Sequence, residues 1–208
     1  MSRRRKKAKK KKFLIVITII IVLVLAAFLA YKFLNTKTVK ENKKLDDITD
    51  YPYSSYSNST KLYREHFDEL KKVLSKEELD EEKYAELLAK LFVADFYDLD
   101  SKATGGDVGG LEFIHSSIVE NLKLKALDTI YNGIESNVYG ERKQSLPSLS
   151  KFEHSEVKQV NYDKNNIRDL EAYQVDLRWT YKKDLAYQNS ASITIVHEEN
   201  LLSIIDIK

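Results

Sequence analysis

The chain opens with a long apolar run. From Phe13 to Leu34 only Thr18 and Lys32 are strongly polar, and residues 13–31 contain no charged side chain. Nineteen uncharged residues in a helix extend about 28 Å, close to the thickness of about 30 Å of a bilayer's hydrocarbon core. The pattern therefore predicts a transmembrane helix at residues 13–34.

Residues 61–135 have the three- and four-residue spacing of apolar side chains that is typical of amphipathic helices. The first predicted helix begins after Ser59 or Thr60, either of which can cap it, and the second ends near Phe96. A glycine-rich break at residues 103–110 separates them from a third predicted helix at residues 111–135.

The period changes after Pro147. Apolar and polar residues alternate at residues 152–162, 172–182, 190–197 and 201–207, where β-branched and aromatic residues are frequent. Alternation predicts strands, and the short connections predict an antiparallel meander. The expected fold class is α+β, with three helices packed on one face of a curved four-stranded antiparallel sheet over residues 61–208.

Residues 35–60 have no sustained apolar period and are rich in Lys, Asp, Ser, Asn and Thr. This composition predicts a linker between the apolar run and the domain. Tyr51, Tyr53 and Tyr56 lie around Pro52 within it, and we expect these tyrosines to dock on the domain.

Charge is divided unevenly along the chain. Residues 1–44 carry fourteen Lys/Arg against Glu41, a net charge of +13, whereas residues 45–208 have a net charge of −11. Nine of the basic residues lie at 3–12, and the positive-inside rule keeps such a segment in the cytoplasm. We therefore predict a cytoplasmic tip at residues 1–12, an uncleaved anchor in the cell membrane and an extracytoplasmic domain. The alternative is a cleaved signal peptide, whose apolar region would be shorter.

The composition also limits the chemistry of the exported domain. An acidic domain binds nucleic acid poorly, because affinity for phosphate backbones depends on Lys and Arg, so only the basic tip could contact nucleic acid. The chain has no cysteine, which excludes disulfides, thiolate metal sites and cysteine nucleophiles. A cysteine-free exported domain favours a bacterial protein.

The order helix, helix, break, helix and four-stranded meander over residues 61–208 resembles the cone-shaped fold of the nuclear-transport-factor-2-like superfamily. With its basic N-terminal anchor, the chain looks most like the extracytoplasmic domains of type IV secretion and conjugation scaffold proteins. The resemblance implies a non-catalytic assembly domain that contacts other envelope proteins, and a homo-oligomer is compatible with it. The same superfamily contains small-molecule enzymes, so the fold alone does not decide the function.

A cone-shaped fold implies a pocket between the sheet and the helices. The candidates to line it are Asp95, Phe96, Tyr97, Tyr173, Arg178, Trp179 and Tyr181. An acid–base enzyme would need a carboxylate or histidine with a shifted pKa in that setting, and Asp95 is the residue of interest. The alternative is that these aromatic side chains fill the core and that Asp95 lies on a helix surface.

Other motifs are incomplete. Gly105 and Gly110 have the spacing of a phosphate-binding loop, but Leu111-Glu112 follows where Lys and Ser/Thr are required. The three-residue spacings His66/Glu69 and Glu112/His115 could chelate a metal but have no second pair, and His154 and His197 are expected to be exposed at strand ends. We therefore expect no cofactor and no metal.

The sequence favours a membrane-anchored structural or interaction protein over an enzyme. Two alternatives stay open: an extracytoplasmic ligand-binding or sensory domain, and a pocket enzyme.

Overall fold

The computed structural model describes residues 20–28, 31 and 42–208. Residues 1–39 and 40–208 are separate compact units, and the described residues of the first are helical. In the described part of the chain, no helix is both long and apolar enough to cross a membrane. The predicted basic tip and most of the predicted transmembrane segment lie outside the described residues.

The second unit is an α+β domain, as the sequence predicts. Its helices and strands are β1 (Lys44–Asp47), β2 (Ser54–Tyr56), α1 (Lys61–Leu74), α2 (Glu81–Phe96), α3 (Val119–Asp128), β3 (Leu149–Lys164), β4 (Ile167–Tyr181), β5 (Ser190–Glu198) and β6 (Leu201–Ile207). Short 3-10 turns cover Leu99–Ser101 and Leu111–Phe113. Strands β3 to β6 form a four-stranded antiparallel sheet in chain order, which confirms the predicted meander.

Alternation along β4 explains how the sheet meets the core. Val175, Leu177 and Trp179 are buried on one face, while Arg178 between them is exposed. β3 pairs with β4 along its whole length, from Leu149↔Tyr181 to Lys164↔Ile167. The register of this long pair shifts at three irregularities, between Leu149 and Lys151, Phe152 and His154, and Val160 and Tyr162.

Helix α2 is the central helix of the domain. It packs against α1 and contacts β3, β4 and β6, so apolar residues surround most of its circumference. Thr60 caps α1 by accepting a hydrogen bond from the Tyr63 N–H at 3.2 Å, as expected. Asp80 caps α2 in the same way, through the Lys83 N–H at 3.0 Å.

The prediction of a single third helix at residues 111–135 is wrong. Gly110 has a positive φ of 71°, and Ile114 forms a parallel bridge with Ile204 of β6. The His115 N–H donates to the Ile204 carbonyl at 2.9 Å, so the backbone here pairs with the sheet edge instead of with its own helix. The helix α3 therefore begins only at Val119.

Part of the predicted linker at residues 35–60 belongs to the folded unit. β1 and β2 form an antiparallel hairpin, and Tyr53 beside it is 1% exposed. The Tyr53 ring lies 5.2 Å from that of Phe113, and its hydroxyl lies 2.5 Å from the hydroxyl of Tyr84. Tyr53 thus docks as expected, whereas Tyr56 stays exposed. The strands were missed because they are short and mostly polar.

Candidate functional site

The seven residues predicted to line one pocket are distributed over several places. Phe96, Tyr97 and Trp179 are buried, with ring centroids 5.1 Å apart for the first pair and 5.0 Å apart for Tyr97 and Trp179. Phe96 and Tyr97 also line a small hollow of about 210 Å³ beside α3. Arg178 is exposed on the opposite face of the sheet.

Two of the predicted tyrosines use their hydroxyls elsewhere. Tyr173 donates to the Glu81 carboxylate at 3.1 Å, and Tyr181 donates to the Gln188 carbonyl at 2.6 Å. The remaining predicted residue, Asp95, lies in a polar hollow that the sequence did not indicate.

Asp95, in the last turn of α2, is the centre of this polar hollow. One carboxylate oxygen pairs with the ammonium group of Lys102, and the other accepts the Gly110 N–H at 2.6 Å. Lys102 is only 3% exposed. A lysine buried to this degree requires a charged partner, and Asp95 supplies it.

The glycine-rich segment has a steric role beside this ion pair. A Cβ atom on Gly109 would collide with the Lys102 ammonium and come within 2.6 Å of the Asp95 carboxylate. A Cβ on Gly110 would lie 2.8 Å from the Phe92 ring. The two glycines therefore let the loop approach the end of α2, and Gly110 also supplies the positive φ.

Glu112 directly follows this loop and lines the same hollow. Tyr63 donates its hydroxyl hydrogen to the Ser54 carbonyl at 2.9 Å, and its oxygen lies 3.3 Å from Glu112 Oε1. Burial, and then the charge of Asp95, raise the pKa of Glu112 to about 7. Because Tyr63 has only one hydrogen to donate, a protonated Glu112 can donate to the tyrosine oxygen.

The Glu112→Gln variant is expected to be more stable than the wild type at pH 8 by about 2 kcal/mol. This is less than the full pKa shift would give, because the Glu112 side chain is partly exposed to solvent. The pKa of Glu112 is higher in the folded than in the unfolded chain, so the wild type loses stability as pH rises from about 4.5 to about 7. Glutamine does not ionise and removes this loss.

Denaturant unfolding of the full chain in mild detergent at pH 4.5 and pH 8 measures the difference. The free energies of unfolding of the two proteins should differ at pH 8 and become similar at pH 4.5. Glu77→Gln, at an exposed position, is the matched control and should follow the wild type. A Glu112→Gln variant that is less stable at pH 8 would show that the ionised carboxylate is stabilised by contacts stronger than these.

The Asp95 hollow is one of three adjoining hollows, which we call together the polar groove. Their volumes are about 190, 460 and 380 Å³. The first and second share Asn42, Asn58 and Lys102, and the second and third share Asp100. The second hollow is lined by polar residues and one alanine: Asn42, Ser57, Asn58, Asp100, Ser101, Lys102, Ala103 and Asn137.

Hydrogen bonds hold the walls of the groove in place. The Arg142 side chain is 2% exposed and donates to the carbonyls of Lys102 at 2.9 Å and Asp100 at 2.6 Å. Arg142 also pairs with the Asp100 carboxylate at 3.2 Å. The Asn137 N–H donates to the Ala103 carbonyl at 2.7 Å. The groove is therefore built from irregular backbone, fixed by polar contacts.

His197 was expected to be exposed, but the structure places it between two carboxylates. Its Nδ1 lies 2.9 Å from Asp169 and its Nε2 lies 3.3 Å from Glu81. Burial alone would lower the pKa of His197, but the hydrogen bonds and charges of Asp169 and Glu81 raise it above its ordinary value. This cluster joins the start of α2 to β4 and β5.

The structure brings together one of the two predicted histidine–glutamate spacings, His66/Glu69, and separates the other, Glu112/His115. Glu112 faces Tyr63, whereas His115 lies 3.7 Å from Glu198, and His66 lies 3.7 Å from Glu69. Among the described residues, no group of three or more His, Cys, Asp or Glu is placed to hold a metal ion.

Comparison with known proteins finds no matching family model, no similar curated protein and no similar solved structure. The resemblance to the nuclear-transport-factor-2-like superfamily therefore stays a prediction, and the function is argued from the groove.

Proposed function

We propose that the chain is a non-catalytic binding protein that one N-terminal helix anchors in a cell membrane, with residues 42–208 on the extracytoplasmic side. The anchor and its orientation are supported by the uncharged run at residues 13–31 and the nine Lys/Arg before it. Binding is assigned to the polar groove.

The observation that carries the assignment is the chemistry of the groove walls. Asparagine and serine side chains, which both donate and accept hydrogen bonds, predominate in the largest hollow. Such a surface suits a polar segment of a partner rather than an apolar ligand. The partner class we propose is another envelope protein, such as a component of a secretion or conjugation complex.

The ionised groups of the groove favour binding over catalysis. Asp95 is paired with Lys102, and Asp100 is paired with Arg142. A general acid or base must reach a substrate and exchange a proton with it, whereas these groups are held by fixed partners. The Glu112 carboxyl faces Tyr63 instead of a cation, and this contact is consistent with a neutral carboxyl that donates a hydrogen bond.

The anchor is tested on intact cells that express the full chain. We expect the protein to stay in the membrane pellet after alkaline extraction, and an added protease to remove the domain while the basic tip stays protected. Extraction into the supernatant, or protection of the domain, would overturn the membrane part of the proposal.

The groove is tested by site-specific photo-crosslinking in the same cells. A photoreactive residue at Asn58, which lines two hollows, should crosslink to an envelope protein identified by mass spectrometry, and one at Lys72 on the exposed side of α1 should not. Ala103→Phe partly fills the largest hollow without removing a side-chain hydrogen bond, and should abolish the Asn58 crosslink.

The melting temperature of the Ala103→Phe variant controls for folding. Equal crosslinking from Asn58 and Lys72, or an Asn58 crosslink that survives in a folded Ala103→Phe variant, would show that partners do not enter the groove.

A further inference from the structure

The third hollow of the polar groove, of about 380 Å³, differs in charge from the rest of the domain. Residues 45–208 carry a net charge of −11, yet three of the residues that line this hollow are lysines. Its lining consists of Asp100, Lys143, Gln144, Ser145, Leu146, Ser148, Lys182 and Lys183.

Pairing of β3 with β4 brings these lysines together. The register Leu149↔Tyr181 places the segment before β3 beside the segment after β4. The Lys182 N–H donates to the Ser148 carbonyl at 2.9 Å, and the Lys182 ammonium donates to the Ser148 hydroxyl at 3.0 Å. The pairing thus brings Lys143, Lys182 and Lys183, from two segments that are far apart in sequence, into the lining of one hollow.

Three acidic side chains lie in or near the hollow, and each accepts hydrogen bonds from other groups. Asp98 accepts the Ser148 hydroxyl at 3.2 Å and the Leu149 N–H at 2.8 Å. The Asp100 carboxylate pairs with Arg142 at 3.2 Å, and Asp184 accepts the Ala186 N–H at 3.0 Å within its own turn. Within residues 42–208 as described, none of the three lysines forms an ion pair with a carboxylate. Together with Arg142, the three lysines outnumber the carboxylates of Asp98, Asp100 and Asp184, so the hollow has a local excess of positive charge in a domain that is acidic as a whole.

We propose that this hollow is an anion site that takes a phosphate group bearing a small polar substituent. Three ammonium groups can surround a tetrahedral oxyanion, and the Ser145 hydroxyl adds a neutral donor. The volume leaves room beside the phosphate for a substituent of the size of glycerol. Such a group occurs in free phosphomonoesters and in the phosphodiester headgroups of anionic lipids.

The site lies in the third hollow of the groove to which partner binding is assigned, but its test is separate from that of the proposed function. Apart from Asp100, its lining differs from that of the other two hollows. Binding of a soluble phosphate to the detergent-solubilised full chain requires neither the membrane orientation nor a protein partner, so either proposal can fail without the other.

The test is isothermal titration calorimetry of the full chain in a non-ionic detergent. The probes are inorganic phosphate, glycerol 3-phosphate and glycerophosphoglycerol, and the test variant is Lys143→Gln/Lys182→Gln/Lys183→Gln. We expect wild-type binding that weakens at least tenfold in the triple variant. Raising the salt concentration from about 0.05 to 0.5 M should also weaken binding, because the lysines are exposed to solvent.

The control variant Lys72→Gln/Lys76→Gln/Lys164→Gln changes the net charge equally at exposed positions outside the hollow. It should bind as the wild type does. Tighter binding of glycerol 3-phosphate indicates a free phosphomonoester, and tighter binding of glycerophosphoglycerol indicates a lipid headgroup. Absence of wild-type binding at millimolar probe, or equal weakening in both triple variants, would overturn the site.

Discussion

Replacing Lys102 with methionine is expected to lower the free energy of unfolding by about 3 kcal/mol. Methionine keeps most of the apolar volume of the lysine side chain but leaves the Asp95 carboxylate without its cation. Asp95 keeps 28% of its side-chain exposure, which places the expected loss at the lower end for a broken buried pair. Denaturant unfolding of the full chain in mild detergent measures it.

The double variant Asp95→Asn/Lys102→Met distinguishes the contribution of the ion pair from that of the other contacts of the two side chains. Asparagine is uncharged and can still accept the Gly110 N–H, so the double variant should recover most of the loss and lie within about 1 kcal/mol of the wild type. If the losses of the two single variants were instead to add in the double variant, the ion pair would contribute nothing to stability. The assignment of Asp95 and Lys102 as the fixed centre of the hollow would then be refuted.

Asp98→Ala is expected to destabilise the domain by about 3 kcal/mol. Asp98 is 1% exposed and accepts the N–H groups of Leu149 at 2.8 Å and Ser101 at 3.2 Å, and the Ser148 hydroxyl at 3.2 Å. Burial raises the pKa of Asp98, and the hydrogen bonds from these donors oppose that shift. The donors therefore stabilise the ionised carboxylate in its buried position. Alanine leaves the buried Leu149 N–H without its partner. Thermal unfolding followed by circular dichroism measures the loss.

Asp100→Ala is the matched control, two residues away. The Asp100 carboxylate is 56% exposed, and its ion pair with Arg142 is supplemented by a bond from Arg142 to the Asp100 carbonyl, which the substitution keeps. We expect a loss below about 1 kcal/mol. Equal losses at the two positions would mean that the loop between α2 and α3 depends on net charge instead of on the bonds of Asp98.

Asp98 and Lys102 both fix irregular backbone around the polar groove. Most of the residues that line the polar groove lie outside the α-helices and β-strands, at 42, 57–59, 100–112, 137–148 and 182–183. Loops seldom have an apolar core of their own, so buried polar contacts such as those of Asp98, Lys102 and Arg142 must fix them. We expect the loss of one such contact to alter the conformation of the groove loops more than that of the sheet.

Only part of the site could be predicted from the sequence. Asp95 was singled out because a carboxylate follows Ala94 in an otherwise apolar stretch. Its partner Lys102 lies beyond the end of α2, and Glu112 lies beyond the glycine-rich loop, so neither shares a helix face with it. Their proximity results from the loop folding back on α2, which no local periodicity records.

The sequence by itself determined α1, α2, the four-stranded meander and the α+β class, because repeated apolar spacing shows which face of each element is buried. It did not determine that Ile114 pairs with Ile204, that β1 and β2 form a hairpin, or that three lysines line one hollow with Ser148. These depend on contacts between distant segments. A short polar segment has no period of its own, and its position is decided by the donors, acceptors and space that the folded neighbours offer it.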